Sequence, residues 1–363
     1  MLDWKIGLEV ELLAPRGLSR RTLAEAIAHQ CGGSVERFFH IQAEPSLVPN
    51  KPVFHNLTLG FRVRDAEGHW RVSCVDDLTL QDDLDRQRPP LPGWYRIVGD
   101  EIRLLRLVQA QCEAEASADS VLEPIARLFH TRLQHQAGMA RVADHEDAAI
   151  AIAAPLPGER ERPCELVVAP LASDHRRIWG GYLALARDLG FTLPAEGATH
   201  LHFDAGPFRA APVLRNLVRL LAHLQPCLRR MMATNPRCRR LGPWPSQLLE
   251  RVNAADFPTL SWERARTALA DLSLSKYCDI NLLNLARGAT DKHTVEIRIL
   301  PALLDPEAIV AMAGLWEGLL RWALRAGAGE TLPEAEPGAV LTLAGVNDAT
   351  DTFWRRWLTD RTK

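Results

Sequence analysis

Apolar and polar residues alternate strictly near the start of the chain. In Gly7-Leu8-Glu9-Val10-Glu11-Leu12, a strand turns Leu8, Val10 and Leu12 to one face and Glu9 and Glu11 to the other. The apolar face requires a core. The acidic face holds two carboxylates about 6–7 Å apart, which repel each other unless solvent or a cation intervenes. A wet edge strand is the plain structural reading of such a segment. The same period-two design returns in Cys164–Leu171, which Pro170 ends, in Thr199–Asp204, in Lys276–Leu282 and in Thr294–Leu300. Two further alternating runs, 53–64 and 69–75, flank Asp65-Ala66-Glu67-Gly68 and predict a hairpin.

Helical spacing fills much of the remainder. Ser19 is placed to cap a helix carrying Leu23 and Ile27, closed by Gly32-Gly33. The pattern predicts helices over 118–136 and over 175–189, the second with Asp174 as N-cap and Gly190 as stop. Over 210–233 the apolar residues Val213, Leu217, Leu220, Leu221, Leu224 and Leu228 keep helical period, and Pro226 should kink or divide the element. Asp305-Pro306 opens a helix to about residue 324, and a Gly-containing connection is expected at Arg287 to Asp291.

Charges and prolines from Asp82 to Pro92 mark the edge of an inserted segment. The expected organisation is one catalytic domain over 1–325, with an insertion around 85–160 and a helical segment around 207–272. A tether and short helix with Trp354 and Trp357 follow over 326–363. Strands and helices mix without regular alternation, so the expected fold class is α+β, a mostly antiparallel sheet with flanking helices.

Bulk composition narrows the function classes. The chain has 363 residues, a net charge of −2, 47% hydrophobic residues and 24% charged residues, which argues against general affinity for nucleic acid or anionic membrane. No window has the length of a membrane span and the N-terminus lacks signal-peptide order, so a cytoplasmic protein is expected. The 7 cysteines are scattered without knuckle spacing and read as reduced structural thiols. Arg229, Arg230, Arg237, Arg239 and Arg240 form a basic run, either a solvated helix end or a docking face for an anion.

The chemistry lies in the alternating strands. If they share a sheet, one face collects Glu9, Glu11, Glu165 and Glu296 with His200, His202 and Arg298. Each close carboxylate pair would cost about 4 kcal/mol at an effective dielectric of 20, and divalent cations are the ordinary remedy. Carboxylate-rich ligation with few imidazoles suits Mg²⁺ or Mn²⁺ better than Zn²⁺. Such ions are commonly shared with substrate phosphates, which points to nucleotide chemistry, and Arg298 suits a transferring phosphoryl group. Taken alone, Glu296 and Arg298 would equally form a cross-strand ion-pair ladder, and the two histidines would equally be packed imidazoles.

The order Gly7-Leu-Glu-Val-Glu11, Glu165-Leu-Val-Val-Ala-Pro170, His200-Leu-His-Phe-Asp204, Lys276-Tyr277 with Asn281, and Thr294-Val-Glu-Ile-Arg298 resembles the amidoligase family. That family is grouped with glutamine synthetase and γ-glutamylcysteine synthetase among carboxylate–amine ligases. The resemblance runs from residue 7 to about 320 and is loosest over 85–160. It implies a partial barrel of mainly antiparallel strands, glutamine synthetase-like, around ATP and Mg²⁺ (or Mn²⁺). Glu9, Glu11, Glu165, His200 and Glu296 would be metal ligands, with Glu165 on the side of the acyl acceptor. His202 would lie near the phosphates, Arg298 would stabilise the phosphoryl group, and Lys276 and Asn281 would contact nucleotide or acyl phosphate. Asp77 matches a small acidic motif except that Leu78 stands where glycine often follows. Asp204 is either a ligand or a strand-end cap.

The implied reaction joins a carboxylate to an amine, on a small molecule or a peptide, through an acyl phosphate. The same metal face would also serve a phosphotransferase or a two-metal phosphohydrolase, and a binding protein that inherited the fold is the non-enzymatic alternative. There is no serine elbow, Walker-type phosphate loop or dinucleotide fingerprint.

Overall fold

The computed structural model describes residues 2–45, 53–99, 101–238, 240–272, 274–288, 293–327 and 329–360. In chain order the strands are β1 (Ile6–Leu13), β2 (Ser34–Pro45), β3 (Val53–Arg64), β4 (Trp70–Val75), β5 (Tyr95–Val98), β6 (Gln134–Gln136), β7 (Met139–Ala143), β8 (Ala149–Pro155), β9 (Pro163–Leu171), β10 (Ala198–Asp204), β11 (Ile280–Asn281) and β12 (Thr294–Pro301). The helices are α1 (Arg20–Gln30), α2 (Ile102–Gln111), α3 (Glu123–Leu128), α4 (His175–Asp188), α5 (Ala211–Met232), α6 (Ser246–Asn253), α7 (Trp262–Ala270), α8 (Leu283–Arg287), α9 (Pro306–Arg325), α10 (Pro337–Ala344) and α11 (Asp348–Thr359). The fold mixes helices with antiparallel sheet, as the alternating runs require. No described helix is long and apolar enough to cross a membrane, and none of the cysteines is paired in a disulfide.

Two units divide the chain. The first comprises Met1–Val10, Pro170–Leu183 and Gly197–Lys363, and the second comprises Glu11–Ala169 and Ala184–Glu196. The division falls inside β1, after Val10.

In the first unit the strand order is β11-β12-β10-β1, antiparallel throughout. This ladder is open. Helix α9 packs against α5, α10 and α11, and both long helices bury an apolar stripe: Leu217, Leu221, Leu224 and Leu228 on α5, Met312, Leu315, Trp316 and Leu319 on α9. That stripe explains why α5 runs unbroken through Pro226, where a break or kink was expected. Pro costs a helix interior about 3 kcal/mol, and Leu224, Cys227 and Leu228 on either side of it are all buried. Residues 329–336 lead into α10, and α11 follows, where Trp354 is fully buried.

Gly318 lets α9 and α10 approach at backbone distance. A β-carbon there would lie 2.1 Å from the Ala344 carbonyl oxygen and 2.7 Å from that residue's Cα. Since the obstacle is backbone, Gly318→Ala is expected to destabilise the protein by about 1–3 kcal/mol, the cost of overpacking, read as a lower urea midpoint.

The second unit is built around β3. Its whole length pairs with β2, and its other edge is shared, Asn56–Thr58 with β5 and Phe61–Arg64 with β4. The expected hairpin around Asp65–Gly68 is the β3–β4 connection, closed by Asp65 Oδ1 accepting the His69 N–H at 2.8 Å. Beyond β5 follow β8, β7 and β6. Residues 85–160 therefore contribute strands, and their apolar side chains, including Tyr95, Ile97, Leu105, Val108, Ile125 and Val142, form one cluster with Phe39, Leu57 and Leu59.

Two local expectations differ from the structure. The helix expected over 118–136 is only Glu123–Leu128; His130 adopts the left-handed conformation (φ 52°) and the Thr131 N–H closes back on the Ala126 carbonyl, ending it. The connection expected at Arg287 to Asp291 begins with Gly288 in the left-handed region, and residues 289–292 lie outside the described residues. At the other predicted caps, Asp305 Oδ1 accepts the Glu307 N–H at 2.9 Å, and the Ser19 N–H donates to Thr22 Oγ1 at 3.2 Å.

Candidate active site

Antiparallel register brings the polar positions of four short strands together in the first unit. Glu9 on β1 stands opposite His200 on β10, and Gly7, which has no side chain, stands opposite His202. His202 in turn faces Glu296 on β12, and Glu296 faces Asn281 on β11. Residues two apart on a strand share a face, so Glu9, His200, His202, Glu296 and Arg298 converge without any loop having to position them.

One irregularity adjusts the row. Thr199 pairs with Leu300 but Leu201 pairs with Ile297, so β12 has one residue more than β10 at this point. The bulge lies at Arg298-Ile299, beside the candidate residues. Bulges bend a strand and re-aim its side chains, and beyond this one Ile299 and Leu300 are buried in succession.

The contacts are close and mostly shielded from water. Glu9 Oε1 lies 3.1 Å from His202 Nε2, and Glu9 Oε2 lies 3.4 Å from His200 Nδ1. Glu296 Oε1 accepts from Arg298 Nη1 at 2.6 Å and lies 3.8 Å from His200 Nδ1. Its other oxygen accepts from Asn281 Nδ2 at 2.6 Å. Burial pushes the Glu9 carboxyl up, but His202 and His200 more than reverse this and hold it well below the usual carboxylate range. Burial and the neighbouring Glu9 carboxylate likewise raise Glu296; His202, Arg298 and His200 outweigh them and keep it low. Both carboxylates are thus held as anions in a sparsely hydrated place.

This donor set fits a hard divalent cation. Glu9, His202 and Glu296 each offer one ligand atom, all within 4.8 Å of one another. Carboxylate oxygens with one imidazole nitrogen suit Mg²⁺ or Mn²⁺. Asn281 and Arg298 occupy the outer positions on Glu296, the kind of contact that orients a ligating carboxylate.

Glu11, buried on β1, and Glu165, half-buried on β9 opposite Val75, belong to the second unit. Lys276 is exposed, its ammonium 5.5 Å from the Tyr277 ring, and among the described residues it has no contact with the cluster. Asp204 accepts the Gly206 N–H at 3.4 Å and ends β10. Asp77, in the second unit, accepts the Thr79 N–H at 2.8 Å in a local turn.

Sequence reasoning missed Asp279. Its buried carboxylate takes Arg229 Nη1 at 2.7 Å, Gln225 Nε2 at 2.6 Å and the Gly242 N–H at 2.8 Å, while its carbonyl accepts the Arg298 N–H at 3.0 Å. It ties the basic end of α5 to the bulged part of β12. Arg229 is thereby committed to the fold, and Arg240 stacks 5.1 Å from the Tyr277 ring centroid; Arg239 lies outside the described residues. No local signal announces Asp279, because the partners of its carboxylate, Gln225, Arg229 and Gly242, are distant in sequence.

A family model described as "Putative amidoligase enzyme" matches residues 2–320. The chain belongs to the amidoligase family. It is therefore a ligase-type enzyme, one that forms amide bonds. The match spans β1, β10 and β12, the three strands that carry the clustered carboxylates, imidazoles and guanidinium of this amidoligase. No curated protein and no solved structure matches the chain.

Proposed function

We propose that this amidoligase joins a carboxylate to an amine at the expense of ATP, using Mg²⁺ or Mn²⁺, through an acyl phosphate. The observation that carries the reading is the meeting of Glu9, His202 and Glu296 within 4.8 Å, with Arg298 hydrogen-bonded to Glu296. Family membership supports the amide product, and the anionic, buried donor set supports the divalent ion. A glutamine synthetase-like catalytic sheet, curved as a partial barrel, is part of the same proposal.

In the first step a carboxylate oxygen of the substrate attacks the γ-phosphorus of ATP, and the bond to the ADP oxygen breaks. In the second the amine nitrogen attacks the acyl carbon, the bond to the phosphate oxygen breaks, and the nitrogen gives up a proton. A bound divalent ion would supply charge neutralisation on the phosphates. Glu9, Glu296 and an imidazole would hold it, His202 as a donor and His200 as a buttress to both carboxylates. Arg298, fixed by Glu296, directs its guanidinium toward the phosphoryl group. Asn281 holds the second oxygen of Glu296. Roles for Glu11 and Glu165 as further ligands, and for Lys276 at the nucleotide, belong to this proposal through the family resemblance.

The test is a mass-spectrometric screen of free acidic amino acids and acidic peptides with amine donors, ATP and Mg²⁺. The expected product weighs one water less than its two substrates, with one ADP and one phosphate released per bond. Glu296→Gln is expected to abolish product while leaving the melting temperature within a few degrees. A phosphorylated product stable to hydroxylamine would mean a phosphotransferase, and phosphate release from an added phosphate monoester in the absence of ATP a phosphohydrolase; either overturns the ligase reading. Gln variants of Glu11 and Glu165 that keep full activity would remove those two residues from the ligand set.

A further inference from the structure

A cavity of about 360 Å³ opens in the second unit. Its walls come from the segment after β4, with Leu78, Leu84 and Arg86, from Arg96 on β5, and from Leu156 and Arg160 in the turn between β8 and β9. Three lining side chains are guanidinium groups, and none of the lining residues is acidic.

The neighbouring carboxylates are committed elsewhere. Asp76 lies 2.5 Å from Arg160 Nη2 and 3.7 Å from Arg20 Nη2, so one carboxylate answers two guanidiniums. Glu159 holds Arg162 at 2.5 Å and Arg16 at 3.0 Å. Arg160 is clamped on its far side, Nη1 donating to the Leu80 carbonyl and Nη2 to the Asp77 carbonyl at 2.7 Å. Its buried Nε–H has no hydrogen-bond partner among the described residues, and a buried donor left in that state is costly. Arg96 reaches Asn56 Oδ1 at 3.4 Å, which steadies the guanidinium.

The two loop walls are fastened to each other. Gly158 has φ +79°, its N–H donates to the Arg88 carbonyl at 3.0 Å, and a β-carbon there would lie 3.3 Å from the Arg86 Cα. Backbone therefore meets backbone, and the space between apolar and cationic walls is defined without a ligand.

We propose that this cavity binds a small carboxylate anion with an aliphatic body, of the size and charge of a dicarboxylic acid. Guanidinium forks match the plane of a carboxylate, and Leu78, Leu84, Leu156 and Pro157 offer contact for methylenes rather than for a bare oxyanion. The volume lies in the range of small-ligand pockets, about 300–1,000 Å³. The proposal stands independently of the ligase reading, since none of the lining residues has a role in it.

The experiment is a calorimetric titration of the full chain with glutarate, glutaramide and inorganic phosphate, without ATP or metal. Saturable glutarate binding is expected, with no heat from glutaramide. Arg86→Gln and Arg96→Gln are each expected to weaken glutarate at least about tenfold, the loss of one charge-assisted contact. Leu84→Asp, which adds a negative charge to a partly exposed wall, is expected to do the same and serves if Arg96→Gln does not fold. Absence of saturable binding up to about 10 mM overturns the proposal. So does an Arg86→Gln, Leu84→Asp variant that binds as the parent does, or phosphate that binds more tightly than glutarate.

Discussion

Arg298→Ala is expected to lower the rate of ADP formation in a single turnover by about a thousandfold, the lower end of what a guanidinium contributes to phosphoryl transfer. The side chain is mostly shielded, with 14% of its surface exposed, and Glu296 Oε1 fixes it at 2.6 Å. Fixation matters because a preoriented fork stabilises charge in flight without first having to reorganise. Arg298→Lys keeps the charge and loses the fork, so an intermediate loss of about ten- to a hundredfold is expected. Glu296→Gln should instead weaken Mn²⁺ binding, followed by the paramagnetic signal of the free ion, which Arg298→Ala changes far less. An Arg298→Ala variant retaining more than about a tenth of the rate would exclude the role given to this residue.

The largest effect on stability is expected at Asp76. Asp76→Asn should cost about 3–5 kcal/mol, because it leaves buried guanidiniums without their counter-charge. Both Arg20 and Asp76 are fully buried, and Arg160 is nearly so. Burial already lowers the pKa of Arg20 against the pull of Asp76, so its charged form is poorly accommodated once the carboxylate is gone. Arg20 is also a structural clasp, donating Nε to the Leu59 carbonyl at 2.9 Å and Nη1 to the carbonyls of Arg160 and Pro163, with the Trp94 ring 4.6 Å away. Urea unfolding of the variant is the measurement, and a midpoint equal to that of the parent would show that the charges are not coupled.

That the candidate site's side chains share a face within each strand could be read from the sequence, because a strand has a two-residue period. Once Glu9, His200, His202 and Glu296 each lie in a short alternating run, pairing those runs leaves few arrangements, and the structure adopts Glu9 opposite His200 and His202 opposite Glu296. The extra residue on β12 could not be read, since a bulge depends on the partner strand and not on the run that contains it. The same holds for Asp76, Asp279 and Arg20, whose partners are distant in sequence and give no local pattern. Pro226 and His130 fail in opposite directions for a related reason. At Pro226 tertiary packing on α9 overrides a local helix breaker, and at His130 a left-handed residue ends a helix that periodicity would have prolonged.

The family signature stops at residue 320, inside α9, which runs to Arg325. Farther along, Trp354 is sealed from solvent and the Trp357 indole donates to the Met231 carbonyl on α5 at 2.8 Å. Recognition and foldability thus have different borders in this enzyme. A gene trimmed at the edge of the shared motif would encode a protein with a bare, greasy flank and a strong tendency to aggregate, however complete its catalytic residues.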